Sequence, residues 1–178
     1  MSSRKIIIID YDINWPAKFE AEKKLIINKL DDCVVDCFHI GSTSVPGLAA
    51  KPIIDMLLVV SSLKKLDKHQ PALESLGYVA KGENGISGRR YFYKGIVVRH
   101  FHLHAFETNH PEIVRHLLFR DYLQKHPEVV AKYQEIKKRA CSSAAHNPVI
   151  YAELKDSFIK KHESIALSLA KKNWKKDD

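Results

Sequence analysis

The 178-residue chain lacks most of the features that would take it out of the ordinary globular class. It has three cysteines, Cys33, Cys37 and Cys141, an odd number with no Cys-x-x-Cys pair. That pattern suggests neither a disulfide framework nor a cysteine zinc site, and the thiols are expected to be buried small hydrophobes. No run approaches the ~20 apolar residues of a membrane span. The opening "MSSRKIIIIDYD" has no long apolar stretch followed by a small-residue cleavage site. The expectation is a cytoplasmic protein with no membrane contact. Internal repeats, low-complexity tracts and long linkers are also missing, which predicts one packed unit over 1–178.

What is present is a composition able to build a core. Hydrophobic residues make up 45% and charged residues 28%, which argues against disorder. A formal net charge of +8 suits an anionic partner: a nucleotide, another phosphorylated small molecule, or RNA. Much of that excess lies in "KYQEIKKRA" and the tail "KKNWKKDD", where a solvated face explains it equally well. No interleaved aromatic and basic strand pattern of the RNA recognition motif kind is seen. Monomer and homodimer are both compatible with the sequence.

Periodicity predicts a strand at "KIIIIDY", then a helix from near Asn14 with Pro16 in its first turn and Phe19, Leu25, Ile26 and Leu30 inward. "VVDCFHI" and "PIIDMLLVV" read as strands, the second buried on both faces. Ser62 is placed to cap a helix over "LKKLDKHQPALESLG", which Pro71 should split and Gly77 stop. Two β-rich runs, 89–94 and 96–106, meet around Lys94 and Gly95 like a hairpin after the polar glycine loop "KGENGISG". Then the character changes. Asn109 and Pro111 open a helix over "PEIVRHLLFRDYLQKH", Pro127 restarts one to about Ala144, and Asn147 with Pro148 opens a last one to about 172. The fold class is therefore α/β of the α+β type: a mixed-sheet core over 1–107, a helical part over 108–173 packed on it, and a charged tail at 174–178.

Between Ile40 and Pro52 lies "GSTSVPGLAAK". Gly41, Ser42, Thr43 and Ser44 combine a small flexible residue with backbone amides and three hydroxyls, a composition suited to cradling phosphate, and the segment after Gly47 is short enough for one helical turn. It is not a P-loop, since no Gly-Lys-Ser/Thr follows. A plain tight turn is the alternative. Asp55 follows in an apolar strand, where a carboxylate must be paired, hydrogen-bonded or metal-bound. Near the loop it can hold a divalent ion against phosphates; a salt bridge to Lys51 or an arginine is the other reading. Lys51 is also a candidate phosphate contact.

"RHFHLHAFE" places His100, His102 and His104 at alternate positions, hence on one strand face. Imidazoles at i and i+2 are suited to holding one metal, with His102 and His104 as the ligands and His100 a further candidate; hydrogen bonding to phosphate, substrate or a carboxylate without metal is equally open. A cluster of Asp55, His102 and His104 favours zinc, manganese or nickel over magnesium. Of Arg89 and Arg90, alternation lets at most one reach the pocket to neutralise phosphate. His39 is expected to be structural. Arg120, Tyr133 and Lys137 are helical, and Tyr133 and Lys137 at i and i+4 either close over the sheet or form a surface pair.

The string "HIGSTSVPGLAAKPIIDMLLVV", the "HLH" at 102–104, "FRDYLQKHPEVVAKYQEIKKRA" at 119–140 and "WPAKFEAEKKLI" near the start together resemble the GrpB-like family, a branch of the nucleotidyltransferase superfamily with the polymerase-beta fold. The resemblance implies a mixed sheet with Gly41 and Ser42 at a phosphate site, Asp55 as ligand to magnesium or manganese (zinc if the histidines ligate), and catalytic roles for Asp55, His102 and His104. It also implies metal-dependent transfer of a nucleoside monophosphate from a triphosphate to an acceptor. The alternatives are an inactive nucleotide- or RNA-binding module and a His/Asp metal-dependent phosphoester hydrolase. One departure stands out. The superfamily's second acidic residue would fall at 57, about 6.6 Å along the same face from residue 55, and here it is Leu57. A third acidic ligand comes in the superfamily from a neighbouring strand, and the histidines can occupy that place.

Overall fold

The computed structural model describes residues 6–144 and 147–174. Five strands, β1 (Val34–Ile40), β2 (Ile54–Val60), β3 (Tyr78–Ala80), β4 (Arg89–Lys94) and β5 (Phe101–Glu107), form one sheet in the order β1-β2-β5-β4-β3. β2 runs parallel to β5, and every other neighbouring pair is antiparallel. The sheet is mixed, as predicted. β2 sits between two strands, and six of its seven residues are buried. That is why its sequence is a continuous apolar run rather than an alternation.

The sheet separates two layers. On one face α1 (Trp15–Leu30), α2 (Leu63–Lys68) and α3 (Gln70–Ser75) close a core in which Phe19, Ile26 and Leu30 meet Met56, Leu58, Leu103 and Phe92. Pro71 sits in the first turn of α3, and the helix splits there as predicted. On the other face lie α4 (Pro111–Lys125), α5 (Pro127–Ser143) and α6 (Pro148–Trp174). Ile113 and Leu117 of α4 pack on Ile40, Leu57 and Phe106 of the sheet, and all three helices close around Val45 and Leu48 of the loop after β1. Among the described residues no helix is long and apolar enough to cross a membrane.

Several local expectations are corrected. The segment predicted as a strand at "KIIIIDY" makes only one bridge, Ile9 to Ala50, and Lys5 lies outside the described residues. Its apolar side chains have another use: Ile6 packs with Ala140, Ala144 and Tyr151 of the helical layer. Leu25 is 46% exposed, because the inward face of α1 runs Phe19, Glu22, Ile26, Leu30, and a neighbour of Ile26 is turned about 100° away. The strand predicted from residue 96 begins at Phe101, and Ile96, Val97 and Val98 are exposed in the connection to β4. His110 rather than Asn109 caps α4, its Nδ1 accepting from the Glu112 amide at 3.3 Å. Ser62 stands at the start of α2 without a side-chain cap; the Leu63 amide donates instead to Glu107. β3 was not foreseen, and the helical turn expected after Gly47 lies earlier, at Ser42–Ser44. Of the predicted tail only Trp174 is among the described residues.

Leu103 is fully buried between the sheet and α1. Leu103→Ala should cost about 2–5 kcal/mol in urea unfolding, whereas Leu25→Ala should stay within about 0.5 kcal/mol as an exposed substitution.

Candidate phosphate and metal site

The register of β1 on β2 sets Ile40 opposite Asp55, so the chain leaves β1 directly beside that carboxylate. Gly41 takes φ +69°, and a Cβ there would stand 2.6 Å from Asp55 Oδ2. Both facts require glycine: the conformation strains any L side chain, and the carboxylate already fills the space. A single 3-10 turn, Ser42–Ser44, follows. The Ser44 hydroxyl donates to the Gly41 carbonyl at 2.6 Å and Thr43 Oγ1 lies 2.9 Å from His39 Nε2. Thr43 and Ser44 are buried, so their hydroxyls serve the turn itself. Ser42 is half-buried, with its hydroxyl beside that of Tyr133.

The parallel pairing of β2 with β5 sets Asp55 opposite His102 and Leu57 opposite His104, all on the face toward α4. His102 Nδ1 lies 3.1 Å and His104 Nε2 3.6 Å from the same atom, Asp55 Oδ1. Burial raises the Asp55 carboxyl, but hydrogen bonds from the two imidazoles outweigh it and hold the group well below the usual carboxylate range. The ligand atoms of the three residues lie within 4.8 Å of one another. Tetrahedral zinc with bonds of about 2.0–2.1 Å sets its ligands about 3.3 Å apart, and the two observed N···O spacings bracket that value. The inner donor set therefore fits a divalent ion.

The outer set is poorer. A histidine bound to a metal usually gives its remote N–H to a carboxylate or carbonyl. His102 Nε2 is buried with no partner, and His104 Nδ1 faces the Arg89 guanidinium at 3.5 Å. A guanidinium only donates, so that contact favours a His104 whose proton sits on Nε2, toward Asp55. An ion must displace this arrangement, and the missing outer partners weaken its hold. Leu57 is fully buried with Ile40 and Phe106, so the second acidic position of the superfamily is an apolar floor.

Other candidates separate clearly. Arg89 is buried on the site face, held by the Glu83 and Asn84 carbonyls; Arg90 points the other way into a two-point ion pair with Asp67, as strand alternation requires. His100 is exposed before the start of β5 and is not part of the Asp55 cluster. His39 lies on the opposite sheet face, stacked on Phe19 of α1 at 4.9 Å. Arg120 donates to the His39 carbonyl and pairs with Asp121. Tyr133 and Lys137 are both buried and close over the loop, with Lys137 Nζ donating to the Ala49 carbonyl at 2.5 Å. Lys51 makes no ion pair with Asp55; its ammonium lies 4.3 Å from the Tyr151 ring centre. Two groups escaped the sequence reading. Lys155 of α6 lies 4.0 Å from the same ring, and His116 of α4 stands against the His104 ring at 5.9 Å.

Two predictions follow from this geometry. Gly41→Ala should push the Asp55 carboxylate aside and lower stability by about 1–3 kcal/mol for the strained backbone, read by thermal unfolding. Burial drives His116 down to about 4, helped by the Arg115 charge. The unfolded imidazole, near 6.5, then binds its proton first as pH falls, so stability is complete above about pH 6.5 and declines toward pH 4. His116→Gln should remove part of the fall in urea midpoint between those limits; burial also lowers His39 to about 4, so that residue supplies another part, while Asp55 does not, since its own window lies below its normal value near 3.8.

Comparison with known proteins agrees with the architecture. The family model described as GrpB protein matches residues 5–164. The UPF0157 protein YqkA of Bacillus subtilis is 42% identical over 97% of this chain and 49% of its own length, so the chain spans about half of that relative. The glutamate-rich protein GrpB of Alkalihalophilus pseudofirmus is 31% identical over 87% of this chain and 92% of its own. A crystal structure of conserved protein GrpB from Enterococcus faecalis superposes with TM-score 0.88 and 42% identity, covering 94% of this chain and 99% of that one. A weaker likeness, TM-score 0.48 at 13% identity over 73% of this chain and 42% of the other, is to a crystal structure of the Cid1 poly(U) polymerase. With the family model covering most of the chain and a solved GrpB structure sharing its fold, the chain belongs to the GrpB family.

Proposed function

We propose that this protein is a metal-assisted nucleotidyltransferase, moving a nucleoside monophosphate from a nucleoside triphosphate to an acceptor hydroxyl. The observation that carries the proposal is the approach of the Asp55 carboxylate to Gly41, which joins a candidate cation ligand to the first residue of a phosphate-sized turn. Membership of the GrpB family, which resembles the nucleotidyltransferase superfamily in its Gly-Ser turn and following aspartate, supports it.

In this reading Gly41 and Ser42 seat the phosphates beside the sheet, and Asp55 with His102 and His104 holds one divalent ion against them. The ion, when bound, supplies Lewis-acid charge at the phosphoryl oxygens. The side chains position: Arg89, held by the Glu83 and Asn84 carbonyls, adds positive charge beside the site, and the buried Leu57 floor keeps water from the inner side of the carboxylate. A bond forms between the acceptor oxygen and the α-phosphorus while the bond to the β-bridging oxygen breaks. Pyrophosphate leaves and the hydroxyl proton passes to solvent. Catalysis here is orientation and charge neutralisation rather than a covalent intermediate.

Leu57 favours a second reading. With one carboxylate where the two-metal clamp takes two, the same site suits a module that binds nucleotide, or RNA through its net positive charge, without turnover. Titration calorimetry with each nucleoside triphosphate in magnesium, manganese or zinc, followed by assay of pyrophosphate release, separates the two. The transferase reading expects metal-dependent binding that Asp55→Asn weakens at least tenfold, and pyrophosphate release once an acceptor is supplied. Binding without turnover favours the module, and orthophosphate release alone marks a hydrolase. No binding of any triphosphate with any of these ions overturns the proposal.

A further inference from the structure

Three lysines from three separate elements come together at the segment that leads from the Gly41–Ser44 turn to β2, near enough for Asp55 to act on each of them. Lys51 comes from that segment, Lys137 from α5 and Lys155 from α6. The Lys51 and Lys155 ammoniums lie 4.3 and 4.0 Å from the centre of one ring, that of Tyr151. Lys137 is fully buried behind them, with its ammonium on the Ala49 carbonyl and 5.1 Å from the Tyr133 ring centre. Among the described residues no carboxylate forms an ion pair with any of the three. The acidic group that acts on all of them is Asp55, already engaged by His102 and His104.

Such an arrangement opposes folding. Each cation loses solvation, and each repels the others: Lys155 and Lys51 act unfavourably on Lys137, and Lys51 on Lys155. Two aromatic faces offset a fraction of that cost. By contrast Lys94, on the far side of the sheet, is paired with the buried Glu22 at 2.8 Å. Among the described residues the trio has no such partner.

We propose that Lys51, Lys137 and Lys155 form a binding site for a linear polyphosphate chain, continuous with the Gly41–Ser42 turn and independent of the divalent ion. Lys51 and Lys155, half-buried, make the direct contacts, and Lys137 adds its charge from behind. A single anion would satisfy one ammonium and leave the rest opposed. A chain of two or three phosphates carries enough charge for all three. The inference deepens the proposed function, because this end of the site would hold the β- and γ-phosphates and then the leaving pyrophosphate. Its test does not need nucleotidyl transfer or metal.

The experiment is calorimetric titration of the intact protein in EDTA with tripolyphosphate, pyrophosphate, orthophosphate and a nucleoside monophosphate, repeated at pH 8 in buffers of different ionisation enthalpy. Tripolyphosphate and pyrophosphate should bind at least tenfold more tightly than the other two. Lys51→Gln and Lys155→Gln should each weaken tripolyphosphate at least tenfold, and Lys155→Arg should keep it within about threefold of the unaltered protein. Thermal unfolding of each variant verifies its fold, and Lys171→Gln, on the exposed end of α6, serves as the control for general basic charge. Burial and the neighbouring lysines bring Lys137 down to about 7 and Lys155 to about 8. Anion binding favours their charged forms, so the protein should take up protons beyond those the polyphosphate itself releases, and this part of the buffer dependence should shrink in Lys155→Gln. Equal affinity for orthophosphate and tripolyphosphate, or indifference to Lys51→Gln and Lys155→Gln, overturns the proposal. Metal-free tripolyphosphate binding without any nucleotide transfer overturns the transferase reading and leaves this one standing.

Discussion

The structure turns on one close approach, that of the Asp55 carboxylate to the backbone of Gly41. A carboxylate in the middle of a sheet needs partners for its charge, and the partners come from opposite directions in the chain. β1 delivers the glycine turn, and β5, parallel to β2 and in register with it, delivers His102 and His104. A slip of one residue in that register would turn both imidazoles to the α1 face and leave Asp55 unpaired. The continuous apolar character of the rest of β2 fixes the strand at the centre of the sheet, and so fixes Asp55 at the site.

The two layers around the sheet have different tasks. α1 to α3 bury Phe19, Ile26, Leu66 and Leu73 against the sheet, and the buried carboxylate of that layer, Glu22, is paired with Lys94. The layer of α4 to α6 has its own pairs, such as Arg115 with Glu112 and Glu163. Yet its Lys137 and Lys155 meet Tyr133 and Tyr151 and, with Lys51, have no carboxylate in an ion pair among the described residues. Charge imbalance concentrated beside a phosphate-sized turn separates a binding surface from a solvated basic face. The cluster of Asp55, His102 and His104 has a similar asymmetry: its inner atoms are spaced as a divalent ion would need, while Arg89 faces the nitrogen that a metal-bound His104 would need to support.

Much of this was legible in the sequence, and for identifiable reasons. The strand limits of β1 and the split helix at Pro71 follow from strand alternation and proline chemistry, which are local rules; the grouping of Asp55 with His102 and His104 comes instead from the family resemblance, which sets a further ligand on a strand beside that of the aspartate. What escaped depends on contacts distant in the chain. Ile6 and Ile8 belong to a run with a strand's composition but find their neighbours on α5 and α6, while Ile7 between them is exposed. Thr43 and Ser44 have hydroxyls as Ser42 does, yet bond to His39 and Gly41. Lys155 lies in a helix full of lysines, and nothing in its spacing marks it; only its meeting with Lys51 across Tyr151, about a hundred residues away in sequence, sets it apart.

The central claim is that Asp55 and the two β5 histidines hold one divalent ion beside a phosphate chain. Electron spin-echo spectroscopy of manganese added to the protein with a nucleoside triphosphate addresses it directly. The account predicts modulation from imidazole nitrogen together with phosphorus coupling, with the nitrogen signal reduced in His102→Ala or His104→Ala and both signals lost in Asp55→Asn. Manganese bound with phosphorus coupling and no nitrogen modulation in the unaltered protein would contradict it, and would return His102 and His104 to the role of hydrogen-bond donors for Asp55.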